Sequence, residues 1–150
     1  DLVALGLFGH VVDLVVQVAA YDTAVARLHG GATEGFFCMT PALYAYPDDP
    51  RPEVQDFAKR FKAKYGREPN FHGEVGYTAA SVVIQALQNA GRDLTVDSFV
   101  AGMEKISGYK DIFGSVLSFG PNQHQGSAKS FLTLVKDGRW VPVEQAALAY

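Results

Sequence analysis

Four prolines within twelve residues, Pro41, Pro47, Pro50 and Pro52, set the first limit on how this 150-residue chain can fold. Together with two aspartates and two tyrosines they fill the segment 41–52. Such a composition removes backbone donors and fixes φ where a regular element would need freedom. The segment reads as an extended linker, a crossover between two lobes. The residues on its two sides differ in kind.

Ahead of it, Leu2 to Phe8 and Val12 to Ala19 are rich in Val and Leu with few polar interruptions. Strands buried on both faces of a parallel sheet have this pattern, so an α/β layer is expected. Only Gly9-His10 separates the two runs, whereas parallel neighbours need a crossover of about a dozen residues. Either the pair is a tight hairpin or a connecting segment is absent. Asp22 can cap a short helix carrying Val25 and Leu28 that Gly30-Gly31 would end. Glu34 to Thr40 then reads as a third strand.

Beyond the linker the period changes. Val54, Phe57, Ala58, Phe61 and Tyr65 recur at helical spacing, with Gly66 as the stop. A second helix is expected from about Glu74 to Ala90. Its wide face of Ala79, Ala80, Val83, Ile84, Leu87 and Ala90 predicts that it is largely buried. Thr95 can cap a third helix bearing Phe99, Val100, Met103 and Ile106, broken at Gly108. Ser115 to Phe119 and Ser130 to Lys136 read as strands, and Asp137-Gly138 is a hairpin turn into Arg139 to Val143.

Composition narrows the function. With 48% hydrophobic and 19% charged residues the chain can bury a core. Its formal charge is -3, and its 13 Lys and Arg are scattered, without the basic stripe that nucleic acid requires. The longest apolar stretch, Val11 to Ala20, is broken by Asp13 and Gln17 and falls short of the roughly 20 residues of a membrane span. No basic start, apolar run and cleavage site is present, so a signal was removed or none existed. Cys38 is the only cysteine; it can form no intrachain disulfide, and Phe36, Phe37 and Met39 around it suit a buried thiol.

Catalytic and cofactor signatures are missing. His10, His29, His72 and His124 lack metal-ligand spacing. The glycines at 6, 9, 30 and 31 build no phosphate-cradling loop. Ser118 and Ser127 lack the sharp turn of an esterase nucleophile. Asp48-Asp49, and Asp13 with Asp22, are the acid pairs, but acids in a proline-rich loop or at a helix cap are usually solvated or capping. No cofactor and no catalysis are expected. The aromatic content remains: ten Phe, seven Tyr and one Trp. Tyr21, Phe71, His72 and Tyr77 stand beside glycines or strand ends, where rings often wall a ligand cleft, though any single ring more often packs a core.

The order of segments resembles a known family. Asp1-Leu-Val-Ala-Leu-Gly-Leu-Phe8 is similar to a strand of the periplasmic solute-binding proteins that serve branched-chain amino acid ABC importers. Ala19-Ala20-Tyr21-Asp22 followed by Gly31-Ala32-Thr33-Glu34-Gly35 looks like their strand and ligand loop. Phe57, Phe61, Tyr65-Gly66, then Gly76-Tyr77-x-Ala79-Ala80 and Ala86-Leu87-x-x-Ala90-Gly91, resemble their helix pair. Phe113-Gly114-x-Val116-x-Ser118-Phe119 and Val135-Lys-Asp-Gly138-Arg-Trp140 match the closing strands. The family is about twice this length, its first half has no counterpart here, and its helix after the first strand is missing between Phe8 and Val11. A fragment, an internally deleted chain or one piece of a longer protein is therefore expected.

The resemblance implies the type I periplasmic architecture: open, largely parallel sheets flanked by helices in two lobes that close on a small ligand by hinge motion. It assigns 1–40 to part of the C-terminal lobe, 41–52 to the interlobe crossover, 53–112 to the helical part of the N-terminal lobe, and 113–150 to the return crossover and closing strands. Phe8, Ala19, Ala20, Tyr21, Asp22, Phe71 and His72 are the implied ligand-binding residues; Tyr77 is structural. Asp22 stands where an acid often meets a ligand amine. If it is a cap instead, an aromatic or aliphatic carboxylate becomes the better ligand. The implied partners are a branched-chain or aromatic amino acid or an aromatic carboxylate, and an ABC permease; the implied location is periplasmic or extracellular. A sensory ligand-binding domain of the same fold and a small α/β enzyme are the alternatives.

Overall fold

A computed structural model describes residues 15–143 and 148–149. The expected strand Leu2 to Phe8, the Gly9-His10 junction and the site candidate Phe8 lie outside these residues. The chain forms two compact units: residues 15–41 with 130–143 make the first, and 42–129 the second. No helix of the described residues is long and apolar enough to cross a membrane.

The first unit is built on a mixed sheet. Strand β1 (Val15–Val16) runs parallel to β2 (Phe37–Thr40), pairing Val15 with Phe37 and Val16 with Cys38. The strand expected over Val12 to Ala19 ends at Val16. A 3-10 turn over Val18–Ala20 follows, because the Ala20 amide closes onto the Gln17 carbonyl at 2.8 Å and the Tyr21 amide onto Val18 at 2.9 Å. Helix α1 (Thr23–Ala26) is shorter than predicted; a 3-10 turn over Leu28–Gly30 continues it to Gly31, whose φ of 102° is left-handed. The β2 strand also starts late, at Phe37, because a turn in which the Phe36 amide donates to the Thr33 carbonyl occupies its predicted first residues.

Two further strands join this sheet. A pair of distant segments meet when β5 (Lys129–Lys136) lies antiparallel to β2, in a register that sets Cys38 against Thr133. The Thr133 hydroxyl donates to the Cys38 carbonyl at 2.9 Å, which satisfies a fully buried polar side chain. Strand β6 (Arg139–Pro142) folds back on β5 through Asp137-Gly138. Both turn residues have positive φ, 53° and 69°, the geometry whose twist matches the flanking strands. Tyr21, Cys38, Val135 and Trp140 form the core of this unit.

The second unit is mainly helical. Helix α2 (Pro52–Tyr65) opens on Pro52, where a missing N–H costs nothing, and stops at left-handed Gly66. Its buried Val54 and Phe57 join Ala45 and Ile112 in one cluster; each large side chain so buried stabilises by about 1.5–3 kcal/mol. Helix α3 (Phe71–Ala90) starts three residues earlier than periodicity predicts, because the Asn70 side chain accepts from the Gly73 amide at 3.0 Å. Helix α4 (Val96–Glu104) carries a full capping box between Thr95 and Ser98. It approaches α3 closely: a Cβ on Gly102 would come within 2.4 Å of the Ala86 carbonyl oxygen.

The burial of α3 corrects the sequence expectation. Phe71, Glu74, Val82 and Ala86 are its buried residues, whereas Ala79, Ala80, Val83, Ile84 and Leu87, the predicted core face, are exposed, Ile84 by 54%. The packing of α4 selects the other side of the helix, through a second cluster of Val82, Ala86 and Ile106. The strand expected over Ser115 to Phe119 is reduced to β4 (Val116–Leu117), which pairs antiparallel with β3 (Tyr109–Lys110).

Candidate functional site

The loop after β1 is shaped by its own backbone. Following the two 3-10 contacts, the Asp22 amide donates to the Ala20 carbonyl at 2.8 Å across Tyr21, whose φ of -75° and ψ of 71° make an inverse γ-turn. The amides of Ala20, Tyr21 and Asp22 are thus engaged within the loop. Ala19 is exposed and Ala20 half-buried. The Tyr21 ring turns inward, 1% exposed, with its centroid 5.1 Å from the Trp140 ring.

Asp22 is a helix cap. Its Oδ1 accepts from the Ala24 amide at 2.8 Å, satisfying one of the orphan donors at the start of α1. Its own carbonyl accepts from the Trp140 indole at 2.9 Å, which fixes the loop to β6. Both readings of Asp22 made from the sequence rested on this residue, and its carboxylate is engaged in the capping one.

Phe71 and His72 belong to the second unit, Ala19 to Asp22 to the first. Phe71, the first residue of α3, is buried and packs against Phe113 at 5.6 Å. His72 is exposed and meets Phe71 edge-on at 6.0 Å. It also lines a groove of about 730 Å³ between α2 and α3. Tyr77 lies in the same groove, its ring 4.5 Å from Phe57. Arg60, Lys64 and Arg67 edge the groove and sit over the Tyr77, Tyr65 and Phe61 rings at 5.2–5.9 Å.

Two buried acids escaped the sequence reading. Glu74, fully buried on α3, accepts from the Ala45 amide at 3.2 Å through Oε2, while Oε1 has no hydrogen-bond partner among the described residues. Burial raises its pKa to about 8 against the backbone bond from Ala45 and the pull of Arg51. Asp111 is likewise raised by burial, offset by backbone donors from Ser115, Phe113 and Gly114. Arg51 is held bidentate by Asp49 at 2.8 and 2.9 Å, and this contact keeps the Asp49 carboxyl below its usual range. The signal for Glu74 was its spacing: it lies eight residues before Val82 and twelve before Ala86, on the stripe that proved to be buried. Among the described residues no three His, Cys, Asp or Glu side chains gather as metal ligands.

Comparison with known proteins places this geometry. Residues 2–139 match the periplasmic binding protein family. The chain belongs to that family. A curated relative of this periplasmic binding protein, the Leu/Ile/Val-binding protein homolog 8 of Brucella abortus (strain 2308), is 31% identical over 121 residues, which cover 77% of this chain and 30% of the relative. Among solved structures, a branched chain amino acid ABC transporter protein from Thermus thermophilus with bound valine superposes with a TM-score of 0.79 at 21% identity, over 98% of this chain and 42% of that one. The fatty acid ABC transporter substrate-binding protein of Thermomonospora curvata gives 0.76 at 24%, covering 99% and 39%. A Rhodopseudomonas palustris BisB5 solute binding protein in complex with 3,4-dihydroxy benzoic acid gives 0.70 at 20%, covering 99% and 40%.

These likenesses establish the type I periplasmic binding fold, of which the described units are a part. This periplasmic binding protein spans about a third of the curated relative's length and about two fifths of the solved chains. The relatives are therefore longer than the twofold difference expected from the sequence.

Proposed function

We propose that this chain is part of an extracytoplasmic receptor that captures a small carboxylate, an amino acid or an aromatic or aliphatic acid, and hands it to a membrane ABC permease without chemical turnover. The family match over residues 2–139 carries this reading. Relatives of the same fold have bound valine in one case and 3,4-dihydroxy benzoic acid in another, which supports this ligand class.

Within that class, the engagement of Asp22 favours a ligand without an amine. A carboxylate that already accepts from the Ala24 amide at 2.8 Å gains less from an ammonium group than one oriented only towards the ligand. Ala19, Ala20, Tyr21 and Asp22 of the first unit are proposed ligand contacts, and so, taken separately, are Phe71 and His72 of the second. Phe8 is the remaining proposed contact.

The test is a thermal-shift titration of the folded chain with valine, leucine and benzoate. A ligand that binds only the native state raises the midpoint in a saturable way; benzoate is expected to do so more strongly than the two amino acids. A folded sample that none of them stabilises overturns the proposal that these residues suffice to hold a ligand.

A further inference from the structure

The chain passes from the first unit into the second between Pro41 and Ala42, and the residues that follow have no regular secondary structure as far as Pro52. Two contacts tie their beginning to the second unit. The Tyr44 hydroxyl donates to the Pro69 carbonyl at 2.7 Å, and the Ala45 amide donates to Glu74 Oε2 at 3.2 Å. Ala45 itself is buried beside Val54, Phe57 and Ile112.

Glu74 is an unusual group for such a role. A backbone amide in this position could be satisfied by any neutral acceptor, yet the acceptor is a carboxyl with no solvent exposure, and its second oxygen has no partner among the described residues. Its neighbour one turn along α3, Thr78, has a buried hydroxyl that also lacks a partner among them. The charges that face Glu74 are Arg51 and Asp49, both from the segment preceding α2, and they neutralise each other in a bidentate pair. Ala45 also packs with the apolar Val54 and Phe57 of α2 and with Ile112. Beside Ile112, Asp111 accepts from the amide of Ser115 and feels the charge of Arg51.

We propose that Glu74 is a proton-controlled latch on residues 42–46: its neutral carboxyl holds the start of the segment closed, and its ionisation releases it. In the neutral state the carbonyl oxygen accepts from Ala45 and the unpartnered oxygen carries a hydroxyl, whose burial costs far less than that of a charge. In the ionised state the bond from Ala45 and the pull of Arg51, opposed by Asp49, offset burial only in part, so the carboxylate gains hydration by displacing what covers it. The cover includes Ala45. Burial sets the pH at which this happens near 8 instead of in the ordinary carboxylate range. The latch lies within the second unit and is independent of which ligand the protein takes.

Amide hydrogen exchange in the whole chain tests the latch. After correction for the intrinsic base-catalysed rate, protection of the Ala45 amide is expected to stay level from about pH 6 to 7 and to fall by about tenfold by about pH 9. The Phe99 amide of α4 is expected to keep its protection, and in Glu74→Gln the Ala45 amide is expected to lose its pH dependence. Level protection of Ala45 throughout, an equal fall at Phe99, or an unchanged fall in Glu74→Gln would each overturn the proposal. If Glu74→Gln does not fold, the carbon-13 titration of the Glu74 carboxyl in the unsubstituted chain decides. A midpoint near 8 that coincides with the Ala45 change supports the latch; a midpoint in the ordinary range overturns it.

Discussion

The indole nitrogen of Trp140 donates to the carbonyl of Asp22 at 2.9 Å, and the Tyr21 ring lies 5.1 Å from the indole. A residue near the end of the described chain thus fixes the loop that follows the first described strand. Trp140→Phe keeps the ring contact and removes the indole bond, leaving the Asp22 carbonyl the Ala26 amide at 3.1 Å. It is expected to lower stability by about 0.5–1.5 kcal/mol, measured by urea unfolding followed through far-UV circular dichroism. A variant as stable as the parent would show that the loop needs no such anchor.

The two roles open to Asp22 respond differently to substitution. Asp22→Ala removes the cap of α1 and is expected to cost about 1 kcal/mol, whereas Asp22→Asn retains an accepting oxygen and costs only a few tenths. If benzoate is the better ligand, Asp22→Asn leaves its affinity unchanged in a calorimetric titration. A loss of tenfold or more, about 1.4 kcal/mol, would show that the Asp22 charge itself meets the ligand.

Gly102 permits a close approach of α4 to α3. An added Cβ would meet the Ala86 carbonyl oxygen at 2.4 Å and the Ala90 amide nitrogen at 3.1 Å, both on the backbone of α3, where neither can rotate aside. Gly102→Ala must push α4 away and is expected to destabilise by about 1–3 kcal/mol, despite the better helix propensity of alanine. Equal or increased thermal stability would refute the close packing.

Glu74 also gives the whole fold a pH dependence of definite sign. Its folded pKa of about 8 lies above the unfolded value of 4.5, so the folded state holds the proton more tightly. The resulting stability is fully present below pH 4.5 and is lost as pH rises through 8. The total is on the order of 5 kcal/mol, and the raised Asp111 adds to it in the same direction. Chemical unfolding at a series of pH values is expected to show this slope, and Glu74→Gln to flatten it.

The fold was legible in the sequence wherever a local cause governed it. Gly66 ended α2, Thr95 capped α4 and Asp137-Gly138 turned the last hairpin, each through the conformation or side-chain bond of the residue named. The face of α3 was not legible. Apolar residues lie on more than one side of that helix, so periodicity indicated Ala79, Val83 and Leu87, while packing with α4 buries Val82 and Ala86. The candidate site divides along the same line. Asp22 as a cap follows from its position before Thr23, but the inward turn of Tyr21 depends on Trp140, more than a hundred residues away, and no local pattern reports that.

Cys38 is the only thiol in the chain and is fully buried in the first unit, on the strand that pairs with β1 and β5. Burial also raises its pKa, so little reactive thiolate forms. Labelling by a thiol reagent must therefore wait for this sheet to open. The chain carries its own clock for one unit: the labelling rate times the opening of the sheet around Cys38, and no thiol in the helical unit adds to the signal.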